Sequence, residues 1–167
     1  MNLLEKDELK ELLIKCWMTH DGMWFYHCLQ NFGMEKANAL NLASIRSLSE
    51  VEVPRIAKAL RIQRERIKNF EELKEVIHGL FGVVKANFME FKYDFPSENR
   101  MRWEVQRCFA HEGMKRMGVI DRYQCGLLYR VKCWIDVLGL KCDITPRWGT
   151  CGLHHDGNFS GEIEFFF

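Results

Sequence analysis

The residues best suited to chemistry lie between Arg107 and His155. Five of the seven cysteines fall there, at positions 108, 125, 133, 142 and 151. Cys108 is followed three residues later by His111, and Cys151 by His154, with His155 beside it. Zinc favours thiolate and imidazole in a tetrahedral set. Cys108, His111, Cys151 and His154 would supply two sulfurs and two nitrogens. A Cys and a His at i and i+3 share a helix face, so the first couplet can chelate from one turn. The second couplet falls in a loop that can wrap an ion. The competing reading is buried thiols with surface histidines.

A different chemistry needs an activated thiolate, a base and an oxyanion site. Cys125 stands just inside a helix start, after Asp121 and Arg122. A helix N-terminus and a nearby Arg both lower a thiol pKa. His111, His154 and His155 are the available bases, and Glu112 is a general acid–base candidate if it faces a pocket. Against these stand two plainer readings. Cys125, Tyr129 and Cys133 recur at four-residue steps along one helical stripe, and Glu112 can pair with Lys115 or Arg116 on an exposed face. A third group suits ligand binding. Asp21, Trp24 and Phe25 place a carboxylate beside two aromatics, as a pocket wall would. Asp21 could equally cap a helix that restarts there. Arg147 suits a substrate carboxylate, and Trp148 next to it could close a pocket. Cys133 and Cys142 fit periodic packing positions and read as structural.

These side chains need elements to hold them. Residues 6–32 are helical by the recurrence of Leu9, Leu12, Leu13, Cys16 and Trp17. Asp21-Gly22 is the weak point and Gly33 a C-cap. A second helix spans 34–48. Ser49 with Glu52 reads as a capping box opening a third helix to about Ile62, although Pro54 sits deep for a helix start. Asn69 caps a fourth that ends near Gly79 to Gly82. The basic run at 61–68 reads as a solvated helix end or linker, since it contains Glu65 and no interleaved aromatic.

The period then changes to two. Met89, Phe91, Tyr93 and Phe95 alternate with charged residues, and so do Met101, Trp103 and Val105 after a turn at Pro96 to Asn99. Two helices follow, at about 108–117 and 122–138. Next come a strand around Leu140 to Thr145, a loop from Pro146 to Ser160, and a last strand from Glu162 to Phe167. The predicted class is α+β. N-terminal helices (1–82) precede a core (83–167) of hairpin, two helices and hairpin, with a four-stranded antiparallel sheet covered by helices. The Phe-rich last strand is too apolar for an open edge, so it is expected to be central or covered.

Composition sets the outer limits. A chain of 167 residues fits one domain and can bury a core without disulfides or metal. With 24 basic and 23 acidic residues, nothing points to a nucleic-acid partner. No apolar run reaches the ~18 residues of a membrane span, and charges begin at Glu5, unlike a signal peptide. A cytoplasmic protein with free thiols is expected.

The stretch CGLLYRVKCWIDVLGLKCDITPRWGTC resembles the core of the 4-vinyl reductase domain family, which has helix, hairpin, two helices and hairpin. The whole chain is similar to an uncharacterised prokaryotic family related to L-2-amino-thiazoline-4-carboxylate hydrolase-like proteins. Asp21 to Phe25, Cys108 with His111-Glu112, Cys125, Cys151 and Glu164-Phe165 carry that likeness. The resemblance implies a pocket between sheet and helices for small apolar or aromatic molecules. It also implies zinc held by cysteines near the C-terminus in some members. Those relatives carry a last Cys at the start of the final strand, where this chain has Gly161. The leading expectation is a small-molecule-binding or sensing domain with a Cys/His zinc site. The alternatives are a thiol- or metal-dependent hydrolase of small cyclic amides and a homodimerisation module.

Overall fold

The computed structural model describes residues 4–62, 67–147 and 149–167. Trp148 and residues 63–66 of the basic run lie outside them. The elements run α1 (Lys6–Ala59), α2 (Phe70–Val84), β1 (Glu90–Ser97), β2 (Arg100–Arg107), α3 (Phe109–Arg116), a 3-10 turn (Ile120–Arg122), α4 (Gly126–Val137), β3 (Lys141–Thr145), α5 (Gly152–His155) and β4 (Phe159–Phe166). This is the α+β order the periodicities predict. Among the described residues, no helix is long and apolar enough to cross a membrane.

The first three predicted helices are one element with a single break. Gly33 interrupts α1 at φ 77, ψ 172, a region essentially reserved for glycine. The expected end at Gly33 is therefore a kink between an outer arm, residues 6–32, and an inner arm, residues 34–59. Asp21-Gly22 does not break the helix. Nor does Ser49 cap a new one: it is fully buried, and its hydroxyl donates back to the Ile45 carbonyl at 2.9 Å. Glu52 is likewise interior. The Ser49-x-x-Glu52 signature misled because both side chains are buried along α1, Glu52 against α4, instead of lying at a helix end. At Asn69 the cap holds, with its side chain accepting from Glu72 N–H at 3.0 Å.

The sheet is antiparallel in the order β1-β2-β4-β3. The Phe-rich β4 is central, as its composition requires, with Ile163 and Phe165 buried. Alternation along the strands sorts the two faces. Tyr93, Trp103 and Gly161 are aligned across three strands, and so are Phe91, Val105 and Phe159. The opposite face is charged, with Arg102 paired to Asp94 at 3.2 Å and Arg100 to Glu164 at 3.5 Å. Helices α2 and α4 cover the apolar face. Leu73, Val76, Ile77, Leu80 and Phe81 meet Leu128, Val131, Trp134 and Ile135 above Met101, Val105, Ile163 and Phe165. The inner arm of α1 packs on α4. A second, smaller apolar cluster joins Phe25 and Ala37 of α1 to Met114, Val119, Ile120, Tyr123 and Cys151.

Candidate functional site

Three helices begin with a cysteine. Cys108 precedes α3, Cys125 precedes α4 and Cys151 precedes α5, each in extended backbone. Each sulfur lies near the first N–H groups of its helix: Ala110 and His111, Leu127 and Leu128, Leu153 and His154. None makes a full capping hydrogen bond. These donors favour the thiolate. Burial opposes them and wins. It raises all three thiols, and it pushes Cys125 up to about 12. The expected activation of Cys125 is thus reversed, because its helix start is sealed inside the core.

The three thiols also act on one another. Charge on Cys108 or Cys151 would raise Cys125 further, and charge on Cys151 would raise Cys108. Backbone contacts explain how distant segments meet. Cys125 N–H donates to the Gly149 carbonyl at 2.6 Å, tying the loop that carries Cys151 to the start of α4. Asn38 of the inner arm clamps the preceding residues: its amide donates to Arg122 O at 2.9 Å and its oxygen accepts from Gln124 N–H at 3.1 Å. Tyr123 belongs to the smaller apolar cluster with Cys151, and Cys125 and Cys108 lie within electrostatic reach of it. It is buried, burial raises its phenol far above normal, and Phe25 meets its ring edge-on at 5.6 Å. Asn38, five per cent exposed, was missed by sequence reasoning; a lone Asn in an Ala- and Leu-rich helix is its faint signal.

The two Cys-x2-His couplets are neighbours, but the His154 imidazole is already engaged. His154 Nε2 lies 2.7 Å from Asp121, whose carboxyl this bond holds below its usual range. His111 is lowered by burial first, then by Lys115 and His154. Among the described residues, no three His, Cys, Asp or Glu side chains are grouped so as to hold a metal ion. The position where the resembled family keeps its last Cys is closed as well. A Cβ on Gly161 would stand 2.1 Å from the Thr145 carbonyl oxygen and 2.7 Å from the Trp103 ring. The residues as placed do not fit a zinc ion.

The other predicted residues separate. Glu112 accepts from Arg107 at 2.8 Å and lies 3.7 Å from Arg116; the Arg107 bond holds its carboxyl below the usual range. It is an ion-paired surface acid. Phe25 joins the cysteines through Tyr123, whereas Trp24 is 63 % exposed. Asp21 looks the other way, toward Arg130; its carboxyl is raised by burial, partly offset by His20 and Arg130. Arg147 is exposed, and Trp148 lies outside the described residues. Two open cavities, of about 390 Å³ beside Arg46 and Cys133 and about 860 Å³ on the charged sheet face, touch none of the three N-cap cysteines.

One polar cluster has no counterpart in the sequence reading. Glu52 of α1 accepts two bonds from Arg130 of α4, one of them at 2.8 Å, and a third from the indole N–H of Trp134. Arg130 also lies over the rings of Trp17 and Trp134, at 5.1 and 5.4 Å. Every strong donor around the buried carboxylate is satisfied, so this is a clamp between helices.

No curated protein matches this sequence. A family model spans residues 2–132, from α1 into α4, so it takes in Cys108, Cys125 and the Glu52–Arg130 clamp and stops before Cys151. The chain therefore belongs to the family of unknown function DUF6125.

Proposed function

We propose that this protein is a small-molecule-binding domain whose site lies where Cys108, Cys125 and Cys151 approach one another. The observation that carries the reading is their convergence. Three segments far apart in sequence each start a helix with cysteine, and the sulfurs share one buried region beside Tyr123. Burial keeps the thiols neutral, so the region is polarisable and weakly polar. Such a lining suits a small apolar or aromatic ligand. The resemblance to the 4-vinyl reductase family supports the same class. Zinc is not part of this reading, because His154 is engaged by Asp121, the described residues hold no metal-ligating group of three, and Gly161 leaves no room for a further ligand. The thiol-hydrolase alternative, drawn from the amino-thiazoline hydrolase resemblance, is weaker. Cys125 is protonated at neutral pH, and among the described residues no imidazole is hydrogen-bonded to it.

The test is a panel of small aromatic carboxylates, amides and hydrocarbons added to isotopically labelled protein. Saturable NMR shifts at Cys108, Cys125, Cys151 and Tyr123 are expected for at least one member. A panel that leaves these signals unmoved would overturn the proposal.

A second reading concerns the outer arm. Leu9, Leu12, Leu13, Met23, Trp24 and Phe32 are each about half exposed or more along one helix. Isolated apolar residues need no explanation, but a run of this size marks an association surface. Self-association through this arm in an isologous pair is the reading it favours. Light scattering of wild type against Leu13→Ser/Trp24→Ser checks it: a dimer that persists unchanged in the variant argues against the arm.

A further inference from the structure

We infer that the indole N–H of Trp103 anchors the hydrogen-bond acceptor of the ligand, an inference that rests on the small-molecule site proposed above. Trp103 lies in the middle of β2, between Tyr93 on β1 and Gly161 on β4. It is 6 % exposed. Among the described residues, its Nε1 is the buried side-chain polar atom left without a partner. The large majority of buried donors in native proteins are paired, and a buried indole N–H usually finds an acceptor. A Phe here would fill an apolar core without any such demand, so the choice of Trp needs a reason.

Its surroundings supply one. The edge of the ring next to Nε1 lies against Gly161, with Cζ2 2.7 Å from where a Cβ would stand. The same absent Cβ would meet the Thr145 carbonyl and Pro146, where the loop toward Cys151 begins. Gly161 is therefore what lets the indole edge reach the base of that loop. On its other side, Phe159 meets Trp103 edge-on at 4.7 Å. Phe159 in turn is so close to Gly152 that a Cβ there would lie 2.2 Å from its ring. Thus the start of α5, immediately after Cys151, rests on Phe159, and Phe159 rests on Trp103. Cys125 and Cys108 pack in this same cluster. The unpaired donor thus shares the main core with Cys125 and Cys108, and reaches the segment after Cys151 through Phe159. A small aromatic molecule with one acceptor, such as a carboxylate or amide oxygen, matches that set: its ring would meet sulfur and aromatic side chains, and its oxygen would accept from Trp103.

Benzoate and benzamide carry the acceptor, and toluene lacks it. The full chain labelled with ¹⁵N-tryptophan should show one indole signal for each of its five tryptophans. Trp103→Phe assigns one of them; contacts of the indole proton with Phe159 assign it if that variant does not fold. Saturating benzoate or benzamide should move the Trp103 signal downfield while toluene does not. Trp103→Phe should weaken the acceptor-bearing probes about tenfold and leave toluene unaffected. If the probes shift the cysteine region but not the Trp103 indole, the anchor is wrong and the binding site stands. If the Trp103 proton shows only exchange contacts with water, with or without probe, the donor serves a buried water and the inference falls. If neither region responds to any probe, the inference falls together with the proposed function.

Discussion

The outer arm of α1 and the α+β core use the same kinds of residues to opposite effect. In the core, the apolar stripe of α2 is covered throughout, from Phe70 to Val84. In the arm, the apolar residues Leu9, Leu12, Leu13, Met23, Trp24 and Phe32 are bare, and Ile14 and Phe25 are its only buried residues among those described. The difference teaches that periodicity reports a face, not its partner. It also locates the stability of the fold: the core and the inner arm carry it, whereas the outer arm is held at a few points.

The clamp between the inner arm and α4 gives the largest test of that division. Glu52→Ala leaves Arg130 and the Trp134 N–H buried without their acceptor. Removing one partner of a buried pair costs about 3–5 kcal/mol, and urea denaturation should show a loss of that size. Trp24→Ser on the arm should change stability by no more than about 0.5 kcal/mol. Equal effects from the two variants would erase the distinction between the regions.

Gly161→Cys comes next. It introduces a side chain against the Thr145 carbonyl and the Trp103 ring. Overpacking of this kind costs about 1–3 kcal/mol, here increased by the rigid backbone neighbour. A variant as stable as wild type, with newly acquired zinc binding, would reopen the metal reading.

Thiol reactivity sharpens the comparison further. Cys16 lies exposed on the arm, and Cys125 is sealed in the core. With its thiol raised to about 12, Cys125 holds little thiolate at pH 8. Iodoacetamide should modify it roughly a hundredfold or more slowly than Cys16. Mass spectrometry of timed digests measures both rates in one sample, and a Cys125 that reacts first would restore the nucleophile reading.

Much of this architecture was legible in the chain. Period-two alternation found the hairpin, and the apolar run in β4 required a central strand. Asn69 announced its helix because cap and first turn are consecutive. What could not be read was tertiary. Ser49 and Glu52 carry a capping signature that only their burial, Glu52 against α4, overrides. Arg130 looks like any helix-surface arginine until Glu52 and two indoles meet it. The cysteines were found as a group, but spacing could not show that each starts a helix, nor that burial outweighs the helix ends. Of Asp21, Trp24 and Phe25, one faces the cysteines, one faces solvent and one faces Arg130, because neighbouring helical positions diverge by about 100°.

Asp21 provides the smallest and most pointed test. It is where the outer arm comes within electrostatic reach of Arg130. Burial raises its carboxyl, and the attractions of His20 and Arg130 only partly offset this. A carboxyl raised in the native state binds its proton more tightly there than in the unfolded chain, where its pKa is about 3.9. Native stability from this group is therefore fully present below about pH 3.9 and declines as pH rises through the native value. Above that, the ionised carboxylate carries a constant penalty. Its side chain is 58 % exposed, so solvent screening keeps the penalty small. Asp21→Asn should then be slightly more stable than wild type at pH 7 and indistinguishable from it near pH 3, as judged by denaturation midpoints. If Asp21→Asn is the less stable protein at pH 7, attraction to Arg130 outweighs burial. The outer arm would then be pinned to the core by charge, and the two regions would be less separate than their apolar faces suggest.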